Sequence, residues 1–166
     1  MKRLVCFLLV TIIAVSICGC TEHSEKFKAP ATFYYLQPRD SLDLSESVLQ
    51  GEVRETADCN GQLDKILNLY LAGPATDSYV SPFPSELFVL DVIQRENTVV
   101  VTLNSEFSQL EDIELSIAII CISSTLFELT ECEEVELRAN GDLINGTESV
   151  TITQDHLYML DQYHNG

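Results

Sequence analysis

The chain has 166 residues, of which 26 are acidic and 9 are basic, and its formal net charge is −17. A charge of this sign repels nucleic acid and anionic lipid, so we expect no nucleic-acid partner. Hydrophobic residues make up 46% of the chain, which is too much for a disordered acidic tail and indicates a folded domain with a negative surface.

The N-terminus has the order of an export signal. Lys2 and Arg3 precede an almost uninterrupted apolar run over residues 4–17, followed by small and then polar residues. The run is shorter than the roughly 20 apolar residues that a membrane-spanning helix needs. We therefore predict a signal peptide over residues 1–19 that is removed by cleavage.

The end of this run, Ile17-Cys18-Gly19-Cys20, resembles the lipobox of bacterial lipoproteins. The resemblance implies that the Cys20 thiol takes a diacylglyceryl group with palmitate-type chains, because it is the nucleophile of the motif. Two acyl chains anchor a protein stably, which places the domain on the extracytoplasmic face of the cell membrane. The alternative is an ordinary signal peptide with two incidental cysteines.

Residues 20–31 are polar and aperiodic, which is typical of a tether. Residues 32–36 are aromatic and β-branched and predict a first strand, which Pro38 ends. Residues 37–57 predict a loop with one short strand near residues 51–54.

A helix follows, with Asp58 or Asn60 as its predicted N-cap. Its apolar residues recur at the spacing of one buried helical face, and they are Leu63, Ile66, Leu67 and Tyr70. Gly73-Pro74 predicts the helix end. Three prolines make residues 74–85 a loop. This loop contains two aromatic residues, Tyr79 and Phe83, and Phe88 follows it closely. The three side chains either pack on the sheet or form an exposed contact patch.

Residues 87–93 and 99–103 predict a β-hairpin around the polar segment 94–97. Ser108 and Glu111 match a capping box, and the apolar segment to about Leu129 favours a buried helix over a strand at residues 117–122. Residues 134–138 alternate as a strand, Asn140-Gly141 predicts a turn, and residues 149–153 predict a last strand. The C-terminal tail, residues 154–166, is predicted to cover an edge or form a short helix.

This element order predicts an α+β fold of the βαββαβ type. We expect an antiparallel sheet with two helices on one face and an extra C-terminal strand, within a domain over residues 32–153.

Several segments together resemble a GerMN domain, the module named for a spore germination and sporulation lipoprotein. The most specific part is the helix that ends in Leu71-Ala72-Gly73-Pro74 and is followed by Ser81-Pro82-Phe83-Pro84. Two further segments complete the resemblance: the strand around residues 99–104, with Phe107 after it, and the segment 135–141. The family motif is thereby carried by Gly73, Pro74, Ser81 and Pro84.

The resemblance implies a compact domain that acts by contact with other proteins rather than by catalysis. Its expected partners are envelope or sporulation proteins, with a homo-oligomer as a further option and the membrane reached through the lipid anchor. The chain is more acidic than typical family members, and members also occur outside spore formers. A role in sporulation, germination or cell-envelope assembly follows as an expectation.

Residues with catalytic chemistry offer one alternative. Paired carboxylates could act as acid and base in a cell-wall hydrolase, and acidic groups occur near residues 40–46, 111–114 and 131–136. With this many acids, neighbouring pairs are expected as solvated surface. The three histidines lack metal-ligand spacing, so we predict no metal and no cofactor. A small solute-binding lipoprotein ranks last, because one domain lacks the usual two-lobed cleft.

Cys59 and Cys132 form a candidate disulfide. In a βαββαβ fold the start of the first helix and the end of the second lie at the same edge, which could bring the two residues within bonding range. The sequence leaves open the alternative of three unpaired thiols, with Cys121 buried in the second helix.

Overall fold

The computed structural model describes residues 27, 30–38 and 48–157. The predicted signal peptide, the lipidation residue Cys20, nearly all of the tether and the end of the C-terminal tail lie outside the described residues.

A small two-stranded sheet opens the domain. Strand β1 (Ala31–Leu36) pairs antiparallel with β2 (Leu49–Arg54). The side chains of Phe33 and Tyr35 are fully buried while their neighbours are half-buried, which is the alternation expected of a strand with one covered face. Both predicted strands are therefore confirmed.

Helix α1 (Leu63–Leu71) buries the predicted face, with Ile66, Leu67 and Tyr70 almost inaccessible. The predicted N-cap is wrong. Asp58 lies in a separate 3-10 turn, Ala57–Cys59, and Asn60 ends that turn with a left-handed φ of 53°. Gln62 directly precedes α1 in an extended conformation and provides no side-chain cap. The cap was misplaced because the chain makes one extra turn before the helix begins.

The main sheet has four strands in the order β3 (Val89–Arg95), β4 (Thr98–Leu103), β5 (Glu134–Ala139) and β6 (Val150–Thr153). β3 and β4 form the predicted hairpin, with a turn of two residues, Glu96 and Asn97. β5 and β6 are also antiparallel. β4 and β5 are parallel, because helix α2 (Asp112–Thr130) carries the chain back between them.

Helix α2 confirms the helical interpretation of the long apolar segment, but the predicted capping box is wrong. Ser108 belongs to a 3-10 turn, Ser105–Gln109, and its hydroxyl donates to the carbonyl of Ser105 at 2.7 Å. The helix begins only at Asp112, after an extended Glu111. By length and composition α2 could cross a membrane, yet half of its most apolar stretch is buried inside the protein, where it contacts β1 and β5.

The α+β class and the element order are confirmed, whereas the predicted single antiparallel sheet is not. In the described part of the chain the strands form two sheets, and one pair is parallel. Among the described strands β1 pairs with β2 alone, and its Tyr34 N–H donates to the hydroxyl of Thr125 in α2 at 3.0 Å. The Thr125 hydroxyl thus accepts a backbone N–H that could otherwise bond to another strand.

Candidate functional site

The family motif lies where α1 ends. The N–H of Gly73 donates to the carbonyl of Tyr70 at 3.0 Å, and Gly73 itself has a φ of 100°. A side chain at this position would have ordinary contact with Ser81, 3.9 Å away, so space does not require glycine. The positive φ does, because residues with a Cβ rarely adopt it. Gly73 therefore lets the chain leave the helix and enter the loop.

Two charged side chains of β2 hold this helix end. The Arg54 guanidinium donates to the carbonyl of Gly73 at 2.8 Å and to that of Leu69 at 3.3 Å. The Glu52 carboxylate accepts from the N–H of Ala75 at 3.0 and 3.2 Å. The two groups lie 3.5 Å apart, with only 15% and 7% of their side chains exposed. We call Glu52, Arg54 and the backbone of residues 73–75 the β2 clamp.

The charges of the β2 clamp match the groups that they hold. The last carbonyls of a helix have no partner within the helix and carry partial negative charge, which a cation neutralises. Pro74 has no N–H, so the next donor along the chain belongs to Ala75, and Glu52 accepts from it. The guanidinium also lies 5.1 Å from the centre of the Phe33 ring, on which it packs.

An aromatic cluster connects the clamp with the loop that follows. The rings of Phe33 and Tyr35 each lie 5.1 Å from that of Tyr70, and Phe83 meets Tyr70 edge-on at 5.0 Å. The Tyr35 hydroxyl donates to the carbonyl of Tyr70, and the Tyr70 hydroxyl donates to that of Tyr34, both at 2.7 Å. Burial raises the pKa of Tyr70 and Tyr35 well above the ordinary value of a phenol. Both groups stay neutral donors and are unsuited to act as bases.

The second half of the motif shapes the loop. The Ser81 hydroxyl accepts from the N–H of Phe83 at 3.2 Å, and the Pro84 carbonyl accepts from the N–H of Leu87 at 3.1 Å. Val80 exchanges two backbone hydrogen bonds with Leu36 of β1. These contacts tie the loop to the sheet, and they give Ser81 a structural role.

The three aromatic residues that the sequence singled out have different surroundings. Phe83 is buried against Tyr70, and Tyr79 is half-buried beside Tyr35, at 6.3 Å between ring centres. Phe88 instead exposes 48% of its surface just before β3. The packing interpretation therefore holds for two of them, and only Phe88 remains a candidate for contact with a partner.

The acidic groups that could serve a hydrolase are dispersed. Glu111, Asp112 and Glu114 are exposed at the start of α2, and Glu136 forms an ion pair with Arg138 at 2.8 Å. Residues 40–46 lie outside the described residues, as do His23 and His164. Within the described part of the chain, no three His, Cys, Asp or Glu side chains come together as metal ligands would.

The described cysteines are buried free thiols, so the structure does not join Cys59 to Cys132. Cys132 is almost completely buried, and its N–H donates to the Thr130 hydroxyl at 3.4 Å. Burial also raises the pKa of its thiol. The thiol of Cys121 has no exposed surface, and burial raises its pKa to about 12.

Sequence reasoning missed the side chains that do most to position the motif. Glu52 and Arg54 are two residues apart in a short strand, and that spacing places both on one face. Asn68 was also missed: its amide donates to the carbonyl of Asp64 and accepts from the N–H of Val89, both at 2.9 Å, which joins α1 to β3. The signal in the sequence for the β2 clamp was the presence of two opposite charges, Glu52 and Arg54, in one short strand.

Fold and site together define a class: a small α+β domain whose motif residues serve its architecture, with no group of metal-ligating side chains among the described residues. A family model described as Germane, sporulation and spore germination, matches residues 32–145. The chain therefore belongs to this family. Comparison with curated protein sequences gives no match.

Two solved structures are similar in fold. One is the first GerMN domain of the sporulation protein GerM from Bacillus subtilis, with a TM-score of 0.54 and 17% identity over 73% of this chain and 92% of that one. The other contains the tandem GerMN domains of the same protein, with a TM-score of 0.53 and 16% identity. It is matched over 79% of this chain and 46% of its own length. The GerMN resemblance found in the sequence is confirmed.

Proposed function

We propose that this chain is a lipid-anchored extracytoplasmic domain that acts by contact with other proteins in sporulation, germination or cell-envelope assembly. Membership of the sporulation and spore germination family is the observation that carries the proposal. The structure supports a contact role, because the motif residues Gly73 and Ser81 and the charged pair of the β2 clamp are engaged in holding the fold. A rigid domain presents its surface to partners without first having to order it.

The lipid anchor rests on the lipobox-like segment that ends in Cys20. Feeding cells an alkyne fatty acid should label the wild-type chain and leave Cys20→Ala unlabelled and uncleaved. Cys18→Ala is the matched control: it removes the neighbouring thiol and keeps a small residue before Gly19, so labelling should persist. Equal labelling of the wild type and Cys20→Ala would contradict anchoring at this residue.

The contact role can be separated from the hydrolase alternative. Full-length protein in detergent, incubated with purified peptidoglycan, should release no soluble fragments. Release that disappears in Glu111→Gln or Glu114→Gln, with an unchanged circular dichroism spectrum, would favour a hydrolase and overturn the contact role. These two carboxylates are the test positions because both are solvent-exposed and close together. Glu111 directly precedes α2, and Glu114 lies three residues further on, in the first turn of the helix.

A further inference from the structure

Strand β3 is an edge strand of the main sheet, and helix α1 contacts it. It occupies the end of the order β3-β4-β5-β6, and of its seven residues only Val89 is buried. Asn68 caps that end of the strand by accepting from the N–H of Val89. Leu90 and Ile93 expose 46% and 37% of their surface. An exposed edge with apolar side chains is the kind of surface that another strand extends.

The hairpin geometry fixes which backbone groups point outward. The two-residue turn makes Arg95 and Thr98 a hydrogen-bonded pair, and such pairs alternate along an antiparallel ladder. Asp91, Ile93 and Arg95 thus direct their backbone groups to β4. Val92 and Gln94 direct theirs to the outer edge of the sheet. The register shift of β3 lies between Val89 and Asp91, so it leaves this segment regular.

The side chains of the same segment are self-complementary. Asp91, Ile93 and Arg95 alternate along β3 and therefore share one face, opposite to that of Val92, whose cross-strand partner is the core residue Val101. All three are exposed. Within the described part of the chain, neither Asp91 nor Arg95 has an ion-pair partner. An acid, an apolar residue and a base thus follow one another at equal spacing.

We propose that the occupant of this edge is β3 of a second copy of the chain, paired antiparallel about a two-fold axis at Ile93. In this register Asp91 lies opposite Arg95 of the second copy, and the same contact recurs on the other side of the axis. Val92 pairs with Gln94 of the second copy, so the outward backbone groups of both strands form four hydrogen bonds. Backbone geometry, apolar contact and charge all select one register.

The strongly negative net charge of each copy opposes association at long range. This repulsion is screened over roughly 8 Å at physiological ionic strength, whereas the paired Asp91 and Arg95 side chains are in direct contact. The dimer also rests on the proposed function, because a lipid anchor confines both copies to one membrane and raises their effective concentration. A two-fold axis perpendicular to the membrane lets both anchors insert on the same side.

Disulfide trapping of the full chain in membranes tests the register. Residues opposite each other in a non-hydrogen-bonded pair have Cα atoms about 4.5 Å apart, which falls within the range for a disulfide. Ile93→Cys should therefore give a disulfide-linked dimer on mild oxidation. Arg95→Cys is the matched control on the same face, because its two copies would lie roughly 13 Å apart. Arg95→Cys co-expressed with Asp91→Cys should again give a dimer.

Failure of Ile93→Cys to crosslink, or equal crosslinking by Arg95→Cys alone, would overturn the proposal. The wild type, with its buried thiols, measures the background. Cys20 labelling is a separate measurement. A labelled chain that does not crosslink refutes only the dimer, and an unlabelled chain that crosslinks refutes only the anchor.

Charge reversal distinguishes a second copy from a foreign partner. In the Ile93→Cys background, Asp91→Arg makes both facing groups basic and Arg95→Asp makes both acidic, so each should lower crosslinking at least tenfold. The double reversal should restore it, and so should co-expression of the two single variants. A foreign basic segment would instead bind better to Arg95→Asp and worse to Asp91→Arg, and no combination would rescue crosslinking. That pattern would overturn the self-pairing.

Discussion

Removing the charge of Arg54 tests whether the β2 clamp holds the end of α1. Arg54→Met keeps most of the aliphatic stem over Phe33 and removes the guanidinium. The carbonyls of Gly73 and Leu69 then lose their donor, and the Glu52 carboxylate loses its cation. Since Arg54 is only 15% exposed, water cannot fully replace these contacts.

The loss can be given a magnitude. A hydrogen bond to a charged group contributes about 1.5–3 kcal/mol, and removing one partner of a buried ion pair costs about 3–5 kcal/mol. Glu52 keeps its bond from the Ala75 N–H, which places the expected loss at the lower end, about 3 kcal/mol. Urea unfolding of the soluble portion should show this as a lower midpoint with an unchanged slope.

Arg138 is the matched control. Its ion pair with Glu136 is shorter, at 2.8 Å, but the two side chains are 46% and 20% exposed. Arg138→Met should therefore cost under about 1 kcal/mol, as exposed pairs do. A loss below about 1 kcal/mol for Arg54→Met, or losses of equal size for both variants, would refute the argument that burial rather than distance makes the clamp strong.

Four further predictions concern polar side chains and their ionisation. The Ser123 hydroxyl is fully buried and has no hydrogen-bond partner among the described residues, so Ser123→Ala should raise the free energy of unfolding by about 1 kcal/mol in a urea titration. Thr125→Ala should lower the free energy of unfolding, because it removes the acceptor of the Tyr34 N–H. A destabilised Ser123→Ala with a stabilised Thr125→Ala would contradict these two roles. The hydrogen bond to Glu128 raises the pKa of Tyr34 to about 12, and burial raises that of Tyr70 further. The neutral phenols therefore stabilise the fold fully below about pH 10, and this stabilisation is lost as the pH rises towards 12. Unfolding monitored by circular dichroism should begin between these two pH values. A stability curve that stays flat to pH 12 would refute this prediction. Because burial raises the pKa of Cys121 to about 12, its thiol should react with Ellman's reagent at pH 8 only after urea is added. The soluble portion carrying Cys59→Ser and Cys132→Ser isolates this thiol, and rapid reaction in its native state would show that the site is open.

The sequence was sufficient for elements whose signals are local. The strand at residues 32–36, the apolar face of α1 and the Gly73-Pro74 helix end depend on spacing and on backbone restrictions within one segment. The hairpin of β3 and β4 is likewise a local turn between two apolar runs. The family resemblance rested on the same motif, and it led to the correct fold class.

Features that depend on distant partners were not predictable in this way. Both helix starts were misassigned, because Asn60 and Ser108 match cap preferences yet belong to separate 3-10 turns. The clamp was missed because Arg54 and Glu52 have their partners in the loop after α1, about twenty residues further on. The Tyr34 N–H of the small sheet donates to the Thr125 hydroxyl of α2, and no local sequence pattern records a contact at that separation.

Complementation of the source strain tests the central claim most directly. In cells that lack this chain, counts of heat-resistant spores and their germination rate should fall, and the wild-type chain should restore both. Cys20→Ala should restore neither, because it leaves the domain without its anchor. Cys18→Ala should complement fully. Full complementation by Cys20→Ala, or an unchanged phenotype in cells without the chain, would contradict a membrane-anchored role in sporulation or germination.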